Sequence, residues 1–432
     1  MTPARGPAHG ITLAAALLAG VGGAWAPGRV EAGRWLGSAE LGYDTYSERY
    51  SIAEADTLSS IDEARMRLRL GYAAGALGRD YVLLEGRQYL GESSWESAVH
   101  ALVTRRFGKA AAWVMNLDAE LARRGFREGS TYAFPNDYTR AYARAGLRAR
   151  AGSLVTVRLD DRLERLDYEQ RTEFDYDYLR NILTAAIDLG RDPFRSVSAG
   201  VRYATMTIPD STEIEYDSMG PVLEIRAFGD PHERVYLTAA ADRRRYPDGG
   251  TRSSFWSILG AGLFERPLSA HWSVELAAEA EYYDYDVATG AYNDYLESRA
   301  SAALNWFDGG FKLGAGPAFG WLSSRDAPQD EYRELGARLA LEQIGTGGFY
   351  LAASYEPGWR DYEAFSADAA PTDNAEVIFS DYLYHRVSVF VNARIHRALW
   401  LNVLLDWQPE DHDRDGDDAT ATVGSISLMY PF

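Results

Sequence analysis

The sequence contains no cysteine. This absence excludes a disulfide framework, a zinc–thiolate or iron–sulfur site and a cysteine nucleophile. Basic residues are also scarce, since 44 Lys and Arg stand against 63 Asp and Glu and give a formal charge of −19. A nucleic-acid binder grips phosphates with a basic face, so we expect no nucleic-acid partner.

No composition break or linker divides the 432 residues, although this length would suggest two or three soluble domains. Hydrophobic residues make up 46% of the chain and aromatics 13%, with 28 Tyr and 11 Trp. That apolar share is too high for a disordered chain. The composition therefore requires a folded architecture that is acidic, thiol-free and rich in tyrosine.

Residues 1–26 have the order of a secretory signal peptide. A segment with one charge, Arg5, precedes an apolar run over residues 11–21, and small residues then lead to an A-x-A site that ends at Ala26. The run is about half of the ~20 residues that a membrane-spanning helix needs. Pro27 disfavours cleavage at Ala26, so cleavage after Ala32 is the fallback. A buried N-terminal helix is the alternative to a signal peptide.

From residue 34 onward, apolar and polar residues alternate in segment after segment. Between Ala64 and Tyr72 the even positions are apolar and the odd positions are Arg or Gly. Between Trp272 and Tyr282 one face is apolar and the other is rich in glutamate. Successive strand side chains point to opposite faces, so each segment has one apolar and one polar face. The pattern predicts an all-β chain, although a soluble β-sandwich would alternate as well.

Two features favour a membrane barrel over a sandwich. The polar face is densely charged along whole strands, and the apolar face often ends in Tyr or Trp, as in a lipid-facing band between aromatic girdles. Short turns, such as residues 77–80 and 308–310, alternate with longer polar stretches around residues 47–61, 124–136 and 361–376. Short turns at one rim and long loops at the other are typical of outer-membrane barrels.

The C-terminal segment carries the most specific signal. Apolar residues alternate back from the terminal position, at Phe432, Tyr430, Leu428 and Ile426. This segment resembles the assembly signal of Gram-negative outer-membrane β-barrel proteins, a porin-like class, although Pro431 is unusual there. The resemblance extends over residues 34–432 in hydropathy and loop rhythm and identifies no subfamily. It implies a Gram-negative outer-membrane location, contacts with membrane lipids and lipopolysaccharide, and insertion by the barrel-assembly machinery.

The alternating segments predict a transmembrane antiparallel up-and-down β-barrel of about 20 strands, with about 18 as the alternative, in one domain over residues 34–432. An even number places both ends of the barrel at the periplasmic rim. A barrel of about sixteen or more strands is wide enough for an aqueous channel. The predicted strands span residues 34–46, 63–76, 80–90, 97–107, 111–123, 137–150, 154–166, 174–189, 195–208, 214–228, 233–245, 253–265, 271–285, 294–307, 311–323, 331–343, 348–359, 379–394, 398–408 and 418–432.

The polar faces predict a charged lumen in which a basic wall confronts an acidic wall, an arrangement that resembles general porins. The alternative is that these charges form salt bridges between neighbouring strands, for example between Glu120 and Arg140. The predicted basic wall is Arg65, Arg67, Arg69, Arg140, Arg144 and Arg148, and the predicted acidic wall is Glu275, Glu279, Glu281, Glu334 and Glu342.

Tyrosines also fall on the predicted lumen face. An aromatic ring beside Arg and carboxylates suits the stacking and hydrogen bonding of sugars. Packing within a girdle or against loops is the other interpretation. The predicted lumen tyrosines are Tyr138, Tyr142, Tyr176 and Tyr178, and Tyr283, Tyr350 and Tyr384 point the same way.

One acidic loop resembles the opening of an EF-hand calcium loop. Asp411, Asp413 and Asp415 alternate, and Gly416 follows at the sixth position. Thr422 stands where the bidentate Glu belongs, and strands rather than helices flank the loop. We therefore expect a solvated acidic loop, with weak Ca²⁺ or Mg²⁺ binding, for example between lipopolysaccharide phosphates, as the alternative. No other cofactor is expected.

The leading functional hypothesis is a passive outer-membrane channel for polar solutes. The alternative is a dedicated export barrel for exopolysaccharide, similar to the alginate-exporter type and working with periplasmic partners. A third hypothesis is a structural or adhesive barrel that acts through its surface loops. An enzyme is not expected, because the sequence has no Gly-x-Ser-x-Gly motif and three of its seven His, at positions 232, 271 and 396, fall at predicted periplasmic turns.

Overall fold

A computed structural model of the chain describes residues 33–52, 55–75, 80–108, 112–127, 135–172, 175–192, 194–209, 211–229, 233–247, 252–287, 292–345, 347–362, 380–413 and 418–432. These residues form 20 strands and two 3₁₀ helices of three residues each. The described part of the chain contains no helix that is long and apolar enough to cross a membrane. The predicted signal peptide and both cleavage sites lie outside the described residues.

The strands follow one another along the chain with short connections at one rim. They are β1 (Arg34–Ile52), β2 (Ala55–Gly75), β3 (Tyr81–Gly91), β4 (Ser94–Phe107), β5 (Trp113–Phe126), β6 (Tyr138–Ala151), β7 (Val155–Tyr168), β8 (Tyr178–Asp192), β9 (Arg195–Thr207), β10 (Tyr216–Phe228), β11 (Arg234–Arg245), β12 (Phe255–Pro267), β13 (Trp272–Tyr285), β14 (Tyr295–Asp308), β15 (Phe311–Ser324), β16 (Tyr332–Gly345), β17 (Phe349–Tyr362), β18 (Tyr382–His396), β19 (Leu399–His412) and β20 (Ala419–Pro431). The 3₁₀ helices are Thr212–Ile214 and Pro328–Asp330.

The sheet closes on itself. Every strand pairs antiparallel with the next, and β20 pairs with β1, where Leu428 lies opposite Leu41. At the seam, Gly37 and Phe432 exchange backbone N–H···O bonds of 2.9 and 2.8 Å. A closed sheet has no unpaired edge, which is the condition for a sheet to cross lipid. The prediction of an up-and-down barrel of about 20 strands is confirmed.

The outward face is an apolar band between two aromatic girdles. Aliphatic side chains such as Leu70, Leu276 and Leu304 are half exposed on this face. The periplasmic rim is the one where β1 begins and β20 ends, and its exposed aromatics are Trp35, Tyr72, Phe107, Trp113, Phe194, Phe264, Trp272, Tyr430 and Phe432. Near the opposite, extracellular rim the exposed aromatics are Tyr203, Trp256, Tyr282, Trp321, Trp359 and Trp407. Ile426 and Leu428 of the predicted assembly signal lie outward with Tyr430 and Phe432.

One predicted loop is wrong. Residues 47–61 were expected to form a long polar loop, but β1 extends to Ile52 and β2 begins at Ala55. The strands stay in register there, with Ser47 opposite Ser60. The apolar alternation of the sequence ends in this segment, but the backbone pairing of the two strands continues.

Close approach of two strands explains a glycine in β15. A Cβ atom at Gly316 would overlap the carbonyl oxygen of Ala302 on β14. The next residue is Pro317, which has no backbone N–H to donate, and the β14–β15 pairing is interrupted at these two positions. A side chain at residue 316 therefore requires the two backbones to separate.

We expect Gly316→Ala to lower the free energy of unfolding by about 1–3 kcal/mol, because the added methyl group overpacks the strand contact. The matched control is Gly260→Ala in β12, where the nearest atom to an added Cβ lies 3.9 Å away. Urea unfolding of both variants in lipid vesicles, followed by tryptophan fluorescence, measures the difference. Equal midpoints for the two variants would contradict the close approach at Gly316.

Candidate functional site

The inward faces form a lumen in which charges of neighbouring strands pair. Arg65 of β2 contacts Asp44 and lies 2.5 Å from Glu40, both carboxylates being on β1. Arg140 of β6 lies 2.7 Å from Glu120 of β5. The salt bridges that the sequence offered as the alternative to segregated walls are therefore present, including the pair between Glu120 and Arg140.

The other members of the predicted basic wall divide into paired and unpaired groups. Arg67 lies 3.7 Å from Glu40, and Arg69 bonds to Glu85. Arg144 lies 2.8 Å from Asp160. Arg148 is the exception, since it forms no ion pair with the described residues.

The predicted acidic wall is also compensated locally. Glu275 lies 3.2 Å from the amino group of Lys312, and Glu279 lies 3.8 Å from Arg299. The hydroxyl groups of Tyr295 and Tyr350 donate to Glu281 at 2.5 Å and to Glu342 at 3.3 Å. Most members of both predicted walls have a partner of opposite charge or a hydrogen-bond donor beside them. The electric field across the lumen is therefore weaker than two segregated walls would produce.

A buried carboxylate connects four strands near the periplasmic rim. Glu265 of β12 is 0% exposed. It accepts hydrogen bonds from Arg234 of β11 at 2.7 Å, from Ser273 of β13 at 2.9 Å and from Lys312 of β15 at 3.2 Å. A carboxylate removed from water needs this number of partners, since an unpaired buried charge is strongly unfavourable.

A second buried carboxylate lies among tyrosines near the extracellular rim. Glu334 of β16 accepts hydrogen bonds of 2.7 Å from Arg360 of β17 and from the hydroxyl group of Tyr384 of β18. The Arg360 guanidinium carbon lies 4.0 Å from the ring centroid of Tyr332 and 5.3 Å from that of Tyr382. We call this group the Glu334 cluster; its members are Glu334, Arg360, Tyr332, Tyr362, Tyr382 and Tyr384.

The sequence identified two of these six, Glu334 in the acidic wall and Tyr384 as an inward tyrosine. The signal available for others was parity, because on β16 Tyr332 lies two positions from Glu334 and on β17 Tyr362 lies two positions from Arg360. Parity does not reveal which strand ends meet. The four tyrosines are at most 8% exposed, so their rings pack against one another and against Arg360.

The predicted lumen tyrosines lie on the early strands. Tyr138 packs edge-on against Tyr168 with the ring centroids 5.8 Å apart. The ring of Tyr142 lies 5.1 Å from the Arg162 guanidinium, and the hydroxyl group of Tyr178 donates to Glu164 at 3.0 Å. Tyr176 was predicted to lie in the strand over residues 174–189, but β8 begins at Tyr178, so Tyr176 precedes the strand. These contacts hold the rings against the wall.

Three inward arginines near the periplasmic rim form no ion pair with the described residues, although the backbone N–H of Arg106 donates to the carboxylate of Asp80 at 2.7 Å. Arg106 of β4 and Arg148 of β6 both lie opposite Val114 of β5, and Arg148 also lies opposite Arg158 of β7. Arg150 follows two positions beyond Arg148 on the same face. We call Arg106, Arg148 and Arg150 the arginine patch; all three are exposed.

Side chains that point into the barrel are exposed to solvent. The exposed fraction of the side chain is 54% for Arg69 and 61% for Glu279. A hollow of about 620 Å³ opens in the wall between Arg158, Glu224 and Arg299. The lumen therefore has room for water beside its charged wall.

The acidic loop with the EF-hand-like opening is described only in part. Asp411 lies in β19, Asp413 donates its backbone N–H to the carbonyl of Asp381 at 2.9 Å, and Asp415 lies outside the described residues. Burial raises the pKa of the Asp381 carboxyl. Among the described residues no group of three or more potential metal ligands occurs. Weak Ca²⁺ or Mg²⁺ binding at Asp411, Asp413 and Asp415 stays a prediction.

We expect Glu334→Gln to lower the free energy of unfolding by about 3–5 kcal/mol, because it leaves the Arg360 charge buried without its partner. The matched control is Glu356→Gln in β17, whose carboxylate pairs with Arg338 at 3.1 Å but is 31% exposed. A pair exposed to this degree contributes about 0–1 kcal/mol. Chemical unfolding of both variants checks the ranking, and a larger effect at Glu356 would contradict it.

Comparison with known proteins gives similarity of fold only. No protein-family model matches the chain, and no curated protein matches its sequence. Among solved structures, the alcaligin outer-membrane receptor FauA of Bordetella pertussis has a TM-score of 0.51 at 10% identity, with coverage of 94% of this chain and 77% of that one. The outer-membrane protein OpdK of Pseudomonas aeruginosa has a TM-score of 0.47 at 12% identity, covering 92% and 98%. A BenF-like porin of Pseudomonas fluorescens Pf-5 has a TM-score of 0.48 at 11% identity, also covering 92% and 98%. The closed antiparallel barrel of this chain is the fold that it shares with the outer-membrane receptor FauA.

Proposed function

We propose that the chain is a passive, porin-like channel for polar solutes. The observation that carries the proposal is the exposure of charged side chains inside a closed barrel, such as Arg67 at 51% and Glu279 at 61% of the side chain. A wall of this kind stays hydrated, and a barrel of about sixteen or more strands is wide enough to hold water. A hydrated passage through the membrane lets polar solutes cross without entering lipid.

The pairing of lumen charges supports weak overall selectivity. A pair such as Arg144 and Asp160 presents no net charge to a passing solute. The arginine patch is different, because its three guanidinium groups lie at the periplasmic mouth and form no ion pair with the described residues. We therefore infer a local preference for anions at that mouth, although the whole chain carries a formal charge of −19.

The contacts of the tyrosines favour a role in stiffening the barrel wall over a role in stacking on solutes. The rings of the Glu334 cluster are at most 8% exposed, and a solute that stacks needs an open ring face. Tyr142 has its ring against Arg162, which also occupies a face. The polysaccharide-export and adhesive hypotheses rest on the sequence alone.

Conductance of the purified protein in planar bilayers tests the channel. We expect steady open-channel current that rises with salt concentration, because a hydrated lumen conducts bulk ions. Heat-denatured protein at the same concentration is the control. Absence of current across salts and voltages, from protein that is folded by gel mobility, would reject free diffusion through the barrel.

The arginine patch generates a further prediction about ion selectivity. Arg148→Gln removes a lumen charge near the periplasmic rim, whereas Arg266→Gln removes an outward-facing charge at the same rim. We expect the reversal potential in a KCl gradient to shift toward cation preference for Arg148→Gln, and further when Arg106 and Arg150 are also replaced by Gln. Arg266→Gln is expected to match the parent protein, and equal shifts for both single variants would contradict a local effect of the patch.

A further inference from the structure

In their described residues, the strands β6, β7 and β8 carry no exposed aromatic side chain on their outward surface. Among the described residues between Trp113 and Phe194, the exposed large apolar side chains are all aliphatic, namely Leu154, Val157, Leu159, Leu179, Leu183, Ile187 and Leu189. The tyrosines of these strands, including Tyr142 and Tyr178, point into the lumen. Exposed aromatic residues mark both interfaces on the later strands, and such residues anchor a wall that contacts lipid. The described residues of these three strands therefore include none of these anchors, and Phe194, in the turn after β8, is the exposed aromatic residue at their periplasmic end.

The same surface carries a polar pair at the depth of the lipid band. The amide of Asn181 on β8 donates a hydrogen bond of 2.8 Å to the carboxylate of Asp161 on β7. The outward neighbours of the pair on both strands are apolar: Leu159, Leu163, Leu179 and Leu183. An ionisable side chain at membrane depth is costly when it faces hydrocarbon and indicates a polar partner.

Two other outward polar pairs contain no charged group. Ser97 bonds to Gln88 at 2.6 Å, and the hydroxyl group of Tyr355 bonds to His385 at 2.8 Å. Neither pair contains a carboxylate, and both lie in sectors that have girdle tryptophans.

Carboxylates also face outward in the pair of Tyr43 with Asp62 and in that of Arg243 with Asp286. Asp161 differs from them because its outward neighbours on β7 and β8 are aliphatic.

Small side chains make the surface shallow beside the polar pair. The outward residues of β6 include Ala141, Ala143, Ala145 and Ala149, and Ala145 lies directly opposite Asp161 in the β6–β7 register. Small residues allow two protein surfaces to approach closely within a membrane. A protein neighbour can therefore reach Asp161 and Asn181 across the face of β6.

We propose that the outward faces of β6, β7 and β8 form a contact with a second copy of this chain in the membrane plane. The surface is complementary to itself, because Asn181 has a second amide N–H to donate and Asp161 has a second oxygen to accept. Nearer the extracellular rim, Arg165 pairs with Asp167 at 2.8 Å, so both signs of charge lie together there too.

A partner of Asp161 and Asn181 must present polar groups at the same depth in the membrane, and a second copy of the chain does so. Two copies in one bilayer hold Asp161 and Asn181 at the same height, so the carboxylate of one copy meets the amide of the other within the lipid band. A lipopolysaccharide phosphate is a poorer occupant, because it needs an excess of cations and the cation at this surface, Arg165, is already paired.

Cysteine crosslinking tests the contact, because the chain has no cysteine and an introduced thiol is its sole thiol. Ala145→Cys places the thiol beside Asp161. Ala280→Cys on β13 is the matched control, since Ala280 is equally lipid-facing but lies next to the girdle residue Tyr282. Outer membranes that contain either variant are treated with bismaleimides of short and long spacer. We expect a covalent product of two copies for Ala145→Cys and the mass of one copy for Ala280→Cys.

A second variant links the contact to the polar pair. Asp161→Leu with Asn181→Leu, in the Ala145→Cys background, converts the surface to an aliphatic wall that lipid can cover. We expect crosslinking to fall several-fold while heat-modifiable gel mobility shows that the barrel remains folded. The proposal is overturned if Ala145→Cys crosslinks no more than Ala280→Cys, if the product has the mass of a different protein, or if the double leucine variant crosslinks as well as its parent.

Discussion

The structure depends on one constraint: lipid offers no hydrogen-bond partner to a peptide group. A sheet can cross the membrane only when each backbone N–H and C=O is paired, and in this chain the pairing is completed where β20 meets β1. Closure also forces every strand to have one face in lipid and one in the lumen. The period of two in the sequence is therefore a consequence of the surroundings of the barrel.

The lumen obeys the complementary constraint that charges close to a protein wall need partners. Cross-strand pairs such as Arg140 with Glu120 satisfy it, and they also fix strand register. A shift of one residue between β5 and β6 would turn Arg140 toward lipid, so the ion pairs and the apolar band specify the same register. The Glu334 cluster and the Glu265 site extend this arrangement to three and four strands.

The sequence predicted the strand number and the facing of most side chains, because alternation is a local property that any window of the chain shows. It did not predict the hairpin over residues 47–61, because polar residues at successive positions remove the alternation while the backbone pairing of β1 and β2 continues. It placed Glu334 and Tyr384 on the lumen face but did not identify Tyr332, Tyr362 and Tyr382 or predict that these residues meet. Tyr384 reaches Glu334 from two strands away, and only the register brings those positions together. The contrast between the paired Arg144 and the unpaired Arg148 likewise depends on which residues lie opposite, which parity leaves undetermined.

The site at Glu265 has a consequence for the order in which the barrel forms. Its carboxylate on β12 receives Arg234 and Ser273 from the adjacent strands, but its lysine partner comes from β15, three strands later in the chain. A partial sheet that ends before β15 therefore contains an incompletely compensated acid on its inner face. When β15 joins the sheet, Lys312 compensates the buried charge of Glu265. The strands that contact Glu265 are then stabilised in one cooperative step instead of strand by strand.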